Sequence, residues 1–179
     1  MAGSTEEYIS LDKASYDLME ASDYLTEKVQ RFTVNGNMEY LNDYFTEAYV
    51  TKRREAAIAT MAEYPESADA LVYLNRAMET SRLLMDREFY AMKLVIEAKG
   101  YTDYPERLNE VELSSEDEAL EPDKKMRLAT DMVLGDEYYA KKNEIRSSMK
   151  EGLNELDEMI HDKEKMYLTI CMLRSGLTV

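Results

Sequence analysis

The 179-residue chain has one cysteine, one histidine and no tryptophan, so a disulfide framework, a zinc finger and a histidine-based polynuclear metal site are excluded. Six glycines and three prolines are too few for the turns of a β-sandwich of this length. Basic residues are outnumbered, 22 Lys and Arg against 37 Asp and Glu, for a net charge of −15. So acidic a surface repels phosphate backbones and anionic headgroups, which argues against nucleic acid and against peripheral membrane binding. No apolar run reaches the ~18 residues of a membrane span. The N-terminus carries neither the basic nor the apolar part of a signal peptide, and residues 1–4 read as a cloning remnant.

What is present is helical. Apolar residues form 45% of the chain, enough to bury a core in one domain. Positions 8, 11, 15, 18, 22, 25, 29 and 32 hold Tyr, Leu, Ser, Leu, Ser, Leu, Val and Phe. The alternating spacing of three and four is a heptad seam, and it predicts nearly antiparallel packed helices. Asn35-Gly36-Asn37 breaks the pattern, because these residues tolerate the left-handed conformation of a helix end. The pattern predicts a second helix over Met38–Glu63, with Leu41, Tyr44, Phe45, Ala48, Ile58, Ala59 and Ala62 inward, stopped by Pro65. A third helix is expected over Ala68–Ala98, with the seam Leu71, Leu74, Met78, Ser81, Met85, Glu88, Met92 and Val95. Residues 101–134 carry Pro105, Pro122 and a Ser114–Asp117 capping pair, which predicts short helices near 115–120 and 123–133. A last helix runs from Asp136 to Arg174, with Ile145, Met149, Leu153, Leu156, Met159, Ile160, Met166, Ile170 and Leu173 inward. Its length is roughly 55–60 Å. The expected fold is therefore all-α, an antiparallel up-down-up-down four-helix bundle over residues 5–179. Both termini then share one end, and an elaborated cap at 99–135 closes the other.

Few patterns suggest chemistry. Glu158 and His161 form an E-x-x-H, but a di-iron bundle needs two such pairs and this is the only histidine. Cys171 lacks a Cys-x-x-Cys partner or a nearby histidine and is expected to be a buried structural thiol, inside the apolar stretch 166–173. That stretch reads as the last buried turns of the helix, or alternatively as a helix heading for a membrane. Residues 97–123 hold ten carboxylates against Lys99 and Arg107, without the spacing of a calcium loop, and read as a solvated face. The 13 methionines and 14 tyrosines suit an irregular core whose rings point in and hydroxyls out. No cofactor, metal or catalytic motif is legible.

The unusual feature is polarity inside the seams. Ser15 and Ser22 occupy first-helix core positions, Thr51 and Glu55 fall in the second stripe beside Lys52, Arg53 and Arg54, and Ser81 falls in the third. Thr51 lies about 14 residues, or roughly 20 Å, below the 35–37 turn. Ser22, Ser81 and Arg146 fall near that height. One layer is thus expected to bring together Ser22, Thr51, Arg54, Ser81 and Arg146. Small side chains leave room there, and hydroxyls and guanidinium groups supply donors for a small polar or anionic ligand. The competing reading is a satisfied polar layer that fixes helix register, with the arginines reaching solvent.

Residues 21–45, ASDYLTEKVQRFTVNGNMEYLNDYF, carry a resemblance. A helix ending in Phe, then Thr-Val-Asn-Gly-Asn, then a Tyr-Leu helix resembles the first turn of bacterial extracytoplasmic four-helix-bundle sensor domains. Those domains occur in chemoreceptors, sensor histidine kinases and diguanylate cyclases. The segment Thr51-Lys-Arg-Arg-Glu55 is similar to family members with an arginine pair in the second helix. The family's Thr-Gly-Asp is Asn35-Gly36-Asn37 here, and 99–135 departs from a minimal bundle. The resemblance implies membrane spans flanking this chain, an extracytoplasmic location, a small-molecule ligand, pairing of two copies through long helices, and signalling by a slight shift of the last helix. The alternative is a soluble helical interaction or scaffold module.

Overall fold

Helix α1, Ala2–Asn35, keeps most of the predicted seam: Leu11, Leu18, Ser22, Leu25, Val29 and Phe32 are buried, and Ser15 is half-buried. The structure is a computed structural model that describes residues 2–175, without the side chains of residues 2–5 and 8. Tyr8, placed first in the seam, and the reading of residues 1–4 therefore lie outside what is described. The fold is all-α, and no strand occurs among the described residues. Gly36 ends α1 with φ +73°, its N–H donating to the Phe32 carbonyl at 2.7 Å. Asn37 then caps α2, Met38–Thr46, by accepting the Glu39 N–H at 3.0 Å. The sequence Asn-Gly-Asn thus supplies the left-handed residue and the next N-cap together.

The expected second helix is not continuous. After α2 a wide π turn runs over Glu47–Thr51, Lys52 adopts φ +48°, and α3 restarts at Arg53–Ala62. The break resets the helical phase. The buried face of α3 is Arg54, Ala57 and Met61; Glu55, Ala59 and Ala62 face solvent, and Ile58 is half-buried. This shift by one residue corrects the expected stripe and turns Arg54 inward. A 3-10 turn at Pro65–Ser67 leads into α4, Ala68–Lys99, closed by Gly100 at φ +67°.

A 3-10 turn at Glu106–Glu110 and the short α5, Ser115–Glu118, follow, with Ser114 capping α5 by accepting the Asp117 N–H at 3.1 Å. Helix α6, Pro122–Leu134, buries Ala129 and Val133. It is tied to α1 by Gln30 on the Val133 carbonyl (3.0 Å) and by Thr130 on the Thr33 carbonyl (3.1 Å). It is tied to α4 by Arg87 on the Met132 carbonyl at 2.7 Å. The region expected to be a cap therefore contributes a core helix beside the C-terminal halves of α1 and α4.

Gly135, in extended backbone, separates α6 from α7, Asp136–Ser175. Tyr138, Lys142, Ile145, Met149, Gly152 and Leu156 face inward, and α7 packs chiefly along α4. At Gly152 these two helices approach closely. A Cβ built there would lie 2.7 Å from Leu74 Cδ2 and 3.0 Å from the Ala70 carbonyl oxygen. Leu74 is fully buried and cannot swing away. Gly152→Ala gains helix propensity of roughly 1 kcal/mol, yet the clash outweighs it. The expected net result is a loss of about 1–2 kcal/mol, measurable by urea unfolding.

Beyond about residue 160, α7 leaves the core. Lys163 bridges Glu7 (2.8 Å) and Glu66 (2.9 Å), marking the last tie to the body. Met166, Ile170 and Leu173, expected inward, are 54, 39 and 70% exposed. Cys171, expected to be buried, is likewise exposed and free. Among the described residues no helix is long and apolar enough to cross a membrane.

Candidate functional site

Residues seven apart on a helix share a face, so Leu74, Ser81, Glu88 and Val95 line one stripe of α4. Glu88 is thereby carried into the interior, 5% exposed. The Tyr44 hydroxyl, from the inward face of α2, donates to its Oε2 at 2.5 Å. The Tyr138 hydroxyl, from the first turns of α7, donates to its Oε1 at 2.7 Å. Both phenols are themselves buried. Burial and the neighbouring carboxylate push both phenols well above the ordinary tyrosine value, so they remain donors.

Two cations share this layer. Lys142, four residues after Tyr138 on the same face of α7, is 4% exposed. Burial pushes its ammonium below the ordinary lysine value, against the attraction of Glu88 and then Asp23. Arg54, turned inward by the break before α3, donates from Nη1 to Ser81 Oγ at 2.8 Å. Burial pushes the Glu88 carboxyl above the usual carboxylate range, opposed by the two phenols and by the charges of Lys142 and Arg54. Among the described residues neither cation forms an ion pair with a carboxylate. Both act on Glu88 through their charge, so its carboxylate is the counter-charge of the layer.

Ser22, Arg54 and Ser81 border one small void, together with Leu18, Leu74, Ala77, Met78, Ile145 and Met149. Its volume is about 10 Å³, room for a single water-sized body. Three of the five residues expected in a common layer thus meet, around a space far smaller than a metabolite. The other two are elsewhere. Thr51 is exposed in the π turn, its hydroxyl donating to Glu47 Oε2 at 2.8 Å. Arg146 follows inward-facing Ile145, so it points outward, where it pairs with Asp23 at 3.1 Å.

Sequence reasoning passed over Glu88, Tyr44, Tyr138 and Lys142 as a group. The signals were present: a carboxylate inside an apolar seam, and a lysine three residues before Ile145 on the α7 stripe. Their meeting depends on Gly135 and the 47–52 break, which no periodicity reveals.

The break is built around Glu47, itself 5% exposed. Its Oε1 accepts the Arg53 backbone N–H at 3.1 Å, and its Oε2 accepts Arg53 Nε at 2.8 Å as well as the Thr51 hydroxyl. Arg53 also pairs with Glu20 on α1. Burial alone would push the Glu47 carboxyl up, but these donors outweigh it and hold it below the usual range. Lys52, with its side chain exposed, occupies the left-handed region that costs an L-residue roughly 1–2 kcal/mol. Lys52→Gly is expected to raise stability by about 0.5–1 kcal/mol, read as a higher urea midpoint with unchanged slope.

Glu158 and His161 are both exposed on the projecting end of α7. Of the acidic stretch 97–123, Asp117 accepts the Tyr90 hydroxyl at 2.5 Å and is half-buried, and the other nine carboxylates are solvated. No protein-family model, no curated protein and no solved structure matches the chain.

Proposed function

We propose that this chain is the extracytoplasmic ligand-sensing domain of a bacterial transmembrane signalling protein, without catalysis of its own. Its frame in this reading is an up-down-up-down four-helix bundle, paired with a second copy through its long helices. One observation carries the proposal. Helix α7 brings Tyr138 and Lys142 into the buried charged layer and continues without a break to an exposed apolar end at 166–173. From Lys142 to Leu173 the rod is roughly 45 Å long. A small change in the packing of the layer is transmitted along such a rod as a shift of about 1–2 Å. A ligand that prefers one packing of the layer over the other biases that shift.

Two measurements test the reading. The native gene is expected to encode apolar runs of about 20 residues on both sides of this segment; their absence from both sides overturns the membrane-receptor reading. For sensing, Cys171 is the only cysteine and is exposed, so it takes a spin label directly, with a second label at an introduced cysteine replacing exposed Asn37. Amino acids, small carboxylates and inorganic anions are then screened by thermal shift and by the label-to-label distance. At least one is expected to do both, and a panel that moves neither overturns sensing by this domain. The second reading, a helical interaction module, draws on the same exposed end of α7, which offers apolar side chains to a partner helix.

A further inference from the structure

Glu88 holds together groups from three other helices. Its Oε2 accepts from Tyr44 of α2 at 2.5 Å and its Oε1 from Tyr138 of α7 at 2.7 Å. Its charge is balanced by Lys142 of α7 and Arg54 of α3. Helix α1 adds the exposed Asp23, which acts on Lys142 from the surface and pairs with Arg146 of α7 at 3.1 Å. Helix α6 turns the uncharged Ala129 and Val133 inward, and its buried Lys125 is not among the main charges acting on Glu88. This arrangement suits an ionised carboxyl only. A carboxylate accepts at both oxygens, whereas a protonated carboxyl has turned one of them into a donor. One proton therefore removes a phenol bond and the counter-charge of two cations together. The Tyr44 ring is held edge-on by Phe45 and Phe89, with centroids 5.7 and 6.3 Å away, so Tyr138 is the phenol that gives way. Arg54 keeps its proton and stays tied to Ser81 at 2.8 Å. Lys142 has an alternative, because Asp23 still attracts it when Glu88 is neutral.

We propose that the Glu88 layer is a proton-driven switch. Protonation of the carboxyl releases Tyr138 and Lys142 from it, and the start of α7 moves outward toward Asp23. Both released groups stand one helical turn apart on α7, so both effects act on the same element in the same direction. The unbroken helix carries the movement to its exposed end. Burial pushes the Glu88 carboxyl above the usual carboxylate range, which moves the switch out of the region near pH 4 where exposed carboxylates titrate. The inference adds the proton as a regulator of the layer, and it rests on the sensing reading for its signalling consequence alone.

The test uses the full chain with spin labels at Cys171 and at the cysteine replacing Asn37, titrated from pH 8 to pH 5 without any added compound. The label-to-label distance is expected to change by about 1–2 Å. Glu88→Gln, neutral at every pH, is expected to hold the acid distance throughout. Lys142→Met keeps the carboxyl and both phenols but removes a cation that favours the ionised form, so its midpoint is expected about 1 pH unit or more higher. That variant decides the matter should Glu88→Gln fail to fold. A distance that is constant with pH, or a midpoint unmoved in Lys142→Met, overturns the switch. A shift that persists in Glu88→Gln overturns it too and assigns the response to another group, since His161, the only histidine, remains in that variant. If acid moves the labels and no compound of the screened panel does, the switch stands and the sensing of a small molecule falls. If a compound moves them and acid does not, the switch falls and sensing stands.

Discussion

Glu88→Ala is expected to lower the unfolding free energy by about 3–5 kcal/mol, the largest loss of any single polar substitution in this chain. Two phenols converge on the carboxylate from α2 and α7, at 2.5 and 2.7 Å. Without it, each buried hydroxyl loses its acceptor, at roughly 1–3 kcal/mol apiece. The deleted side chain leaves a cavity, and the layer loses its one acidic group. These costs share a network and do not simply add. Glu88→Gln separates the roles. Its amide oxygen still accepts one phenol, and removing a buried charge is often close to neutral, so the expected loss is about 1–2 kcal/mol.

The pH dependence has a definite sign. The Glu88 carboxyl is pushed above 4.5 in the folded state, so folding favours its protonated form. Its contribution is complete below the unfolded value and declines as pH rises through the folded value. The wild-type lead over Glu88→Gln should therefore narrow from pH ~4.5 upward. Urea titrations of the three proteins at several pH values provide the check. A Glu88→Ala protein within 0.5 kcal/mol of wild type would mean that the two tyrosines find other acceptors, on the scale of ordinary surface substitutions.

Helix positions were legible because seams of three and four leave a plain mark in the order of residues. The seam of α1, the Asn35–Asn37 turn, the Ser114 cap and the boundaries of α4 follow from local rules, and local rules are what a sequence states directly. The π turn at Glu47–Thr51 was not legible. It is held by a buried glutamate that caps the next helix from six residues upstream, and nothing in the spacing separates this from a straight helix. That one break decided the site. It turned Arg54 in toward Ser81 and turned Glu55 out. Thr51 became a ligand of Glu47 and no longer a lining residue. Ser22, Arg54 and Ser81 could be placed together by counting rises, since height survives a local break while phase does not. The exposed end of α7 was misread because periodicity records which side of a helix is apolar, not whether that side is covered.

Lys142→Met is expected to stabilise the protein by about 1–3 kcal/mol, the reverse of the usual effect of altering a buried residue. Methionine matches the lysine stem in length and flexibility and removes the ammonium that the interior leaves without an ion pair. The pH dependence separates this cause from improved packing. Because burial lowers the folded-state value below 10.5, the penalty is in full force below that folded value, where both states keep the proton. It fades as pH rises toward the unfolded value, and there wild type regains ground on the variant. A packing effect would give the same difference at every pH. Thermal melts from neutral to alkaline pH therefore read out the mechanism, and a destabilised Lys142→Met would show that the ammonium is better satisfied than its geometry allows. A stabilised variant carries a functional consequence. A lysine kept in a core at a cost to stability is found where activity outweighs stability. Lys142 stands on α7, which runs from the buried layer to an exposed apolar end, and under the proposed sensing role that helix is the element whose shift carries the signal.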